Sequence, residues 1–553
     1  MKLRTKLTAK LAIGMIVGIA LFPGCQPDEF SPEIKNLKHN SYLPQSEMMV
    51  LGKELENPYS VDNMRKAYAN LTSNGRVAEE IEIETTHYYV RFLPADTVEV
   101  AILESDTILE LWDHPLLFEI EQVGNWYHDP SIPDSLPTWQ YTVVEKDYEF
   151  PSMTHEILAD LFMVEEDSTD SSSGKISSSL WDELEYEALR ITDNLDQPDY
   201  ASGGRGAASK WRPYGRIRIE ERTAGVDRGD VPLRYCKVRA RKLLKFGSAN
   251  TSVSTGIFSI TKDFRGSVNY SLEFETAGHK VTDFFGFSVN HNGPKSDDPW
   301  YMDIGFGNEE SWVCGTILNA IYHFRTQASI HRIKLPGVLA TVKVRPKYKE
   351  GRSNALRVVR HYPLAITLLI QNDVVMYTEF DNGVRLETDD FYALTMHELA
   401  HVSHYLKSPA NIALTDGITR ESWANAVGYY FTLPYYPNVV TTRYVGTNIT
   451  AAFEGENDLS RTDIIDGGDD SWQYTPFFID LRDNTNQRTI HGGNTEWAND
   501  NVSGYTLEQM QEALDKRTRL DGVCEHLRNN YSNATEANLN ELVRFYEEIK
   551  DNH

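Results

Sequence analysis

The chain has 553 residues, 41% of them hydrophobic, and carries 81 acidic against 54 basic side chains, a formal net charge of −27. This length suits three or four domains with hydrophobic cores of their own, and the acidity argues against nucleic acid as a partner, because anionic surfaces repel each other. Four cysteines in so long a chain exclude a small disulfide-stapled scaffold.

The first 25 residues have the pattern of a targeting signal. Four basic side chains within the first ten residues precede an apolar run over residues 11–22, which is too short to span a membrane comfortably. The run ends in LFPGC at residues 21–25, which resembles the lipobox of bacterial lipoproteins, although Phe22 and Pro23 depart from its usual residues. The resemblance implies that Cys25 is acylated, so that the protein is lipid-anchored in the bacterial outer membrane, on its periplasmic or cell-surface face.

An N-terminal α+β module is predicted over residues 51–195. Residues 26–50 lack apolar periodicity and are predicted to be a tether, and the glycine-rich residues 196–210 are predicted to be a flexible linker after the module. Within the module, Ser60 is placed to cap a helix. Alternating apolar residues predict strands in four segments: 86–93, 98–103, 108–112 and 139–144.

Residues 211–276 are predicted to form a small β-sandwich, because short strand patterns recur there at even spacing. Their order resembles the carboxypeptidase regulatory-like modules of secreted proteins, which implies a role in positioning neighbouring domains or binding partners. The basic stretch Arg239–Lys245 is interpreted as the exposed face of a strand, with an anion-binding patch as the alternative.

Residues 277–553 are predicted to form the last domain. Helical periodicity predicts a helix over residues 308–327. Further helices are predicted in a C-terminal lobe, over residues 474–481, 505–519 and 537–549.

The strongest chemical signal in this domain is MHELAH at residues 396–401, which contains the HExxH pattern. A helix from about residue 388 to 406 would place His397 and His401 one turn apart on one face, so that both imidazoles can bind one metal ion. Glu398 lies about 100° away round such a helix, where it can address the water that the metal activates instead of the metal.

The third ligand distinguishes the families that share this pattern. One group has a histidine six residues after the second ligand, where this chain has Lys407, and another takes a glutamate from the next helix. Glu421 follows His401 by 20 residues and lies in a second helical pattern. The central part of residues 277–553 therefore resembles the thermolysin-like, or gluzincin, metallopeptidases. The resemblance implies a Zn²⁺ ion held by His397, His401 and Glu421.

Two neighbouring residues bear on this resemblance. In the family, an acid four residues after the glutamate ligand hydrogen-bonds a zinc-bound histidine. Here that position is Asn425, which implies either a weaker interaction or a different partner for the histidine. His404 lies about 10 Å along the helix from His397, too far to share an ion, and is interpreted as a pocket-edge or packing residue.

The resemblance further implies peptide-bond hydrolysis of a protein or glycoprotein substrate, with Glu398 as the proton-transferring base. A second donor to the developing oxyanion is expected from Tyr429, Tyr430 or His491, and His491 is preferred. The competing hypothesis is a non-catalytic surface-binding or adhesion lipoprotein with a vestigial zinc site. Asn425 favours that hypothesis slightly, whereas the intact Glu398 argues against it.

The predicted fold class is therefore multidomain α+β. It combines the N-terminal α+β module, the small β-sandwich, and a zincin-like α+β metallopeptidase domain with a helical lobe.

Overall fold

The structure is a computed structural model, and the residues that it describes are 48–76, 80–164, 176–196, 209–223, 229–337, 341–350, 374–379, 383–436, 458–466 and 471–551. The predicted signal with Cys25, most of the predicted tether and residues 197–208 of the predicted linker lie outside these ranges. The described part is a mixed α+β protein with several separate sheets, which confirms the coarse fold class. In these ranges we find no helix with both the length and the apolar character needed to cross a membrane.

Helices and strands are numbered here in chain order. The helices are α1 Val61–Ser73, α2 Thr97–Ser105, α3 Ser178–Ile191, α4 Glu309–His331, α5 Thr388–Lys407, α6 Gly417–Thr432, α7 Arg461–Asp466, α8 Phe477–Asp480, α9 Gln487–Ile490, α10 Leu507–Leu514, α11 Leu520–Asn530 and α12 Leu539–Asp551. The strands are β1 Val50–Glu54, β2 His87–Leu93, β3 Phe118–Gln122, β4 Gln140–Glu145, β5 Thr154–Leu161, β6 Lys210–Trp211, β7 Tyr214–Glu220, β8 Asp230–Pro232, β9 Lys237–Lys242, β10 Lys245–Asn250, β11 Ile257–Ser259, β12 Phe264–Arg265, β13 Val268–Glu273, β14 Glu275–Thr276, β15 His279–Val281, β16 Asn290–Ser296, β17 Trp300–Ile304, β18 Val342–Glu350 and β19 Val374–Glu379.

The N-terminal part holds two antiparallel sheets, in the orders β4–β2–β5 and β1–β3. Helix α1 packs on α3, and side chains such as Met64, Leu71 and Leu184 share one hydrophobic core. Ser60 caps α1 as predicted, because its side chain accepts a hydrogen bond from the Asn63 N–H.

Two of the predicted N-terminal strands are wrong. Residues 98–103 lie in helix α2, where the Asp96 side chain accepts a hydrogen bond from the Val98 N–H and caps the first turn. The buried Val100 and Leu103 are three residues apart, which matches one face of a helix. In the predicted strand at 108–112, Trp112 forms only an isolated bridge, to Tyr141.

Two four-stranded sheets follow the N-terminal part. One is antiparallel in the order β10–β9–β13–β16, and the other has the order β11–β7–β17 with β8 paired to β7. Buried residues of both sheets, among them Ile217, Val238 and Trp300, belong to one hydrophobic core. Strands β16 and β17 come after residue 276, so chain beyond the predicted sandwich segment completes both sheets.

The prediction that Arg239–Lys245 is an exposed strand face is wrong. Its charged side chains are almost entirely buried, with exposed fractions of 2% for Arg239, 3% for Arg241, 7% for Lys242 and 4% for Lys245. Arg239 donates to the Leu111 carbonyl at 2.8 Å, and Arg241 donates to the Leu116 carbonyl at 2.9 Å. These basic residues therefore bind the N-terminal part to strand β9, a contact that strand periodicity cannot reveal.

Removing the Glu185 carboxylate should destabilise this contact strongly. Glu185 binds Lys245 at 2.9 Å, and both side chains are at least 95% buried. Without its counter-charge Lys245 would remain as a buried cation, so we expect Glu185→Ala to lower the free energy of unfolding by about 3–5 kcal/mol. Glu183→Ala, at an exposed position of the same helix, should change it by less than about 0.5 kcal/mol. Urea titrations of both variants measure the difference, and equal effects would contradict this role of Glu185.

Helix α4, a third sheet and the C-terminal helices share the core of the two sheets. Helix α4 contacts α5, α6 and β7, and its buried Trp312, Ile317 and Phe324 confirm the predicted helix at 308–327. A third sheet has the order β14–β15–β18–β19, in which β15, β18 and β19 are parallel. Helices α10, α11 and α12 pack against the same core, through residues such as Leu514 and Tyr546.

A pair of buried acids in this C-terminal part should make stability depend on pH. Burial is the main cause that raises the pKa of Asp500 to about 8, and burial with the charge of Asp500 raises the pKa of Asp480 well above its usual range. The carboxyl is protonated in the folded protein over a pH range in which it is ionised in the unfolded chain. The free energy of unfolding therefore falls as pH rises through that range. The contribution of Asp500 to the free energy of unfolding should thus be complete below about pH 4 and lost by about pH 8.

Asp500→Asn should remove part of this dependence, because its amide does not ionise. We expect the variant to gain stability relative to the wild type between pH 5 and pH 8, as measured by urea unfolding at both pH values. A difference between the two proteins that is the same at both pH values would contradict the raised pKa.

Candidate metal centre

Helix α5 places HExxH on a well-formed, buried helix. Its start is fixed by a capping box, in which Glu387 and Asp390 each accept a hydrogen bond from the other's backbone N–H. Met396 and Leu399 face the core, fully buried or nearly so. The predicted helix over about 388–406 is confirmed, since α5 spans Thr388–Lys407.

Helix α6 brings Glu421 to α5. Asp416 caps α6 by accepting a hydrogen bond from the Thr419 N–H at 3.1 Å. Trp423 and Val427 are fully buried in the core, which orients the helix. Because α5 and α6 pack against each other, the Glu421 carboxylate meets the histidine face of α5.

The three predicted ligands form a compact triangle. His401 Nε2 lies 3.2 Å from His397 Nε2 and 3.1 Å from Glu421 Oε2, and the remaining side, from His397 Nε2 to Glu421 Oε2, is 3.5 Å. Zinc bonds of about 2.0–2.2 Å at tetrahedral angles place neighbouring ligand atoms about 3.3–3.6 Å apart. The donor set therefore fits a zinc ion, and one side of the triangle lies within this spacing while the two sides at His401 are about 0.1–0.2 Å shorter.

The centre is buried but open at one residue. The exposed fractions are 4% for His401 and for Glu421, and 13% for the His397 side chain. In the described part of the chain this is the only group of three histidine, cysteine or carboxylate side chains whose ligand atoms all lie within 4.8 Å of one another. With a tetrahedral ion, three protein ligands would leave one position for water or substrate.

The electrostatics favour an ionised Glu421. Burial alone would raise its pKa, but the charge of His401, hydrogen bonds from both imidazoles and the charge of Arg420 hold the pKa well below its usual range. Arg420 Nε donates to Glu421 Oε1 at 3.1 Å, so this oxygen is held by a cation while Oε2 faces the histidines. The carboxylate is thus fixed with one oxygen directed at the ligand triangle.

Glu398 is placed beside the triangle. It is 5% exposed, and its charge is one of the causes that raise the pKa of His397. Burial would lower the pKa of His397, but the hydrogen bond to Glu421 and the charges of Glu398 and Glu421 outweigh it. This coupling shows that the Glu398 carboxylate lies near the ligands, outside the triangle.

Asn425 is buried next to the same histidine. It is 2% exposed and contributes to raising the pKa of His397, although its Oδ1 makes no hydrogen bond of ordinary geometry within the described ranges. His401 Nδ1 likewise has no hydrogen-bond partner among the residues that the structure describes. Within the described ranges, the polar contacts of His401 are therefore confined to its Nε2, which faces Glu421.

His404 is completely buried. Burial lowers its pKa to about 3, helped by the nearby charges of His401 and Arg420. Neither ring nitrogen has a hydrogen-bond partner in the described ranges, and His404 is not part of the ligand triangle. This placement agrees with the interpretation of His404 as a packing residue.

Tyr474 is a site residue that the sequence did not indicate. Its ring stacks on His397 with 6.1 Å between ring centroids and 29° between planes. Both neighbours of Tyr474 are fastened to Ser422: the Ser422 hydroxyl donates to the Gln473 carbonyl at 3.1 Å and accepts from the Thr475 N–H at 3.0 Å. Because Ser422 follows Glu421 in the sequence, these hydrogen bonds hold the loop that carries Tyr474 next to the predicted ligand Glu421. No spacing rule links residues so far apart in sequence.

The candidate oxyanion donors are engaged in other contacts. His491 Nε2 lies 2.5 Å from Asp458 Oδ1, and its ring stacks on Trp497. Tyr430 donates its hydroxyl to the Ile479 carbonyl at 3.2 Å. Tyr429 packs edge-on against Tyr430. The described contacts link none of the three to the ligand triangle, and the role of His491 stays a prediction.

The three described cysteines are not part of the ligand triangle. Cys236, Cys314 and Cys524 are free and buried. Burial raises the pKa of each thiol above its usual range, so these side chains are protonated at neutral pH.

Comparison with known protein families and with curated proteins finds no match to this chain.

Proposed function

We propose that this protein is a zinc-dependent hydrolase, specifically a metallopeptidase, that a lipid on Cys25 anchors at the bacterial outer membrane. The observation that carries the proposal is the triangle of His397 Nε2, His401 Nε2 and Glu421 Oε2, whose sides of 3.1–3.5 Å are within about 0.2 Å of the spacing around tetrahedral zinc. The gluzincin-like fold and the peptide substrate are part of the proposal, supported by the HExxH pattern and the position of Glu421 on the following helix.

Each residue has a role that follows from its position. A zinc ion, when bound, supplies Lewis acidity toward a carbonyl oxygen and toward water. Glu398, buried beside the triangle, takes a proton from the attacking water and returns it to the leaving amine. His397, the most exposed of the three ligands, marks the side from which substrate approaches.

Two further residues would position the ligands. Arg420 holds the second oxygen of Glu421, which keeps one carboxylate oxygen directed at the metal position. Tyr474 packs on the His397 ring and limits its rotation. Both contacts reduce the reorganisation that the ligands need on binding the ion.

Removal of zinc tests the proposal. The full chain, purified in mild detergent, should cleave casein or labelled peptides, lose this activity on treatment with 1,10-phenanthroline, and regain it on addition of about one equivalent of Zn²⁺. A chain that holds zinc but cleaves nothing across a broad peptide library would instead support the surface-binding alternative. Activity that survives complete zinc removal would contradict the proposed chemistry.

A further inference from the structure

Two strands of the N-terminal part each have one side without a partner strand. Within the ranges that the structure describes, β5 pairs with β2 alone over residues 154–160, and β1 pairs with β3 alone. Beyond β1, the chain meets the end of β5 where Ser60 bridges Leu161. Strand edges of this kind present backbone N–H and C=O groups to a further strand.

A groove of about 900 Å³ lies between these two strands, a volume within the range of ligand sites. Gly52 and Glu54 of β1 line one side, and Leu158 and Ala159 of β5 line the other. The remaining lining includes the rings of Tyr89, Tyr127 and Tyr141.

The β5 edge is apolar where it borders the groove. Ile157 and Leu158 are 50% and 40% exposed. Ala159 is opposite Tyr89 and Ile157 is opposite Val90, so Leu158 is an additional residue in β5. Both Leu158 and Ala159 line the groove. Exposed aliphatic side chains on an open strand edge form a surface suited to strand pairing.

The groove is also acidic. Its lining contains three carboxylates, Glu54, Glu56 and Asp129. The one cation among the described lining residues, Arg91, is already held by Glu156 through hydrogen bonds of 2.9 and 2.7 Å. A positively charged occupant would therefore meet charge of opposite sign.

We propose that this groove binds an extended segment of a basic polypeptide by strand addition to β5. The backbone of the segment would pair with residues 154–160, its apolar side chains would contact Leu158, and its lysine or arginine side chains would meet Glu54 and Glu56. This binding site does not depend on the proposed hydrolase activity.

The test is a fluorescence anisotropy titration with the full chain carrying Glu398→Gln, so that the probe is not cut. The probe is a short labelled peptide of alternating lysine and valine. Three comparison probes are the same peptide with alternate backbone nitrogens methylated, a version with glutamate in place of lysine, and labelled neutral oligosaccharides. We expect only the unmodified basic peptide to bind, because methylation removes the pairing N–H groups and glutamate reverses the charge.

Charge reversal in the groove supplies a matched comparison. The double variant Glu54→Lys/Glu56→Lys should weaken binding of the basic peptide by at least about tenfold, whereas Glu80→Lys/Glu121→Lys, at exposed positions outside the groove, should change it less than about threefold. Circular dichroism checks that both variants are folded. The proposal is overturned if the basic peptide does not bind, if the methylated or acidic peptide binds equally well, if oligosaccharides bind instead, or if both double variants weaken binding alike.

Discussion

Glu398→Gln is expected to leave zinc binding intact and to slow peptide cleavage by about 10²–10⁴-fold, the usual contribution of a positioned base. Glutamine has nearly the shape of glutamate, so α5 and the triangle beside it should keep their geometry. It cannot accept the proton of the attacking water, because an amide is not basic at neutral pH. Zinc content is measured by metal analysis, and cleavage by the turnover of a labelled peptide.

The control for this variant is Glu525→Gln, the same change at a helical glutamate whose side chain is 60% exposed. It should retain wild-type zinc content and turnover. Cleavage at the wild-type rate by the Glu398 variant would show that Glu398 is not the general base. Loss of zinc together with activity would show that Glu398 supports the ion and would leave its role as base undemonstrated.

Glu421→Gln is expected to weaken zinc binding by more than about 100-fold. Glu421 supplies the one carboxylate of the triangle, and its ionised form is favoured strongly, since the charge of His401 and its hydrogen bonds hold its pKa well below the usual range. The glutamine amide is neutral, so the variant lacks the negative charge that partly balances the charge of Zn²⁺. The loss should exceed the 10–100-fold that is typical when a partner of a metal ligand is removed.

Asn425→Ala, one turn later on the same helix, provides the comparison. Asn425 lies beside His397 and outside the triangle, so its loss should weaken zinc binding by no more than about 100-fold. Competition between apo-protein and a chromophoric chelator measures both affinities. Equal affinities of Glu421→Gln and the wild type would mean that the ion lies elsewhere.

Local periodicity was sufficient to predict the helices of the centre. The separation of His397 and His401 determines that both lie on one face of α5, whatever surrounds the helix. Glu421 was different, because its place depends on how α6 packs against α5. That prediction came from the family resemblance, and the triangle agrees with it.

Tertiary contacts explain what the sequence did not reveal. Val98–Leu103 alternates like a strand, but the Asp96 cap and the burial of Val100 with Leu103 favour a helix. Arg239 and its neighbours look like a solvated face, yet carbonyls and acids from distant segments satisfy them in the interior. Tyr474 reaches His397 through a loop held by Ser422. Such contacts join segments far apart in sequence, which periodicity does not encode.

X-ray absorption at the zinc K-edge tests the central claim most directly, because it reports the atoms around the ion in the intact protein. We predict about one zinc per chain, with nitrogen and oxygen ligands at about 2.0–2.1 Å, two imidazoles among them, and one imidazole fewer in His401→Ala. A spectrum with sulfur at about 2.3 Å, or an identical spectrum in that variant, would contradict this claim.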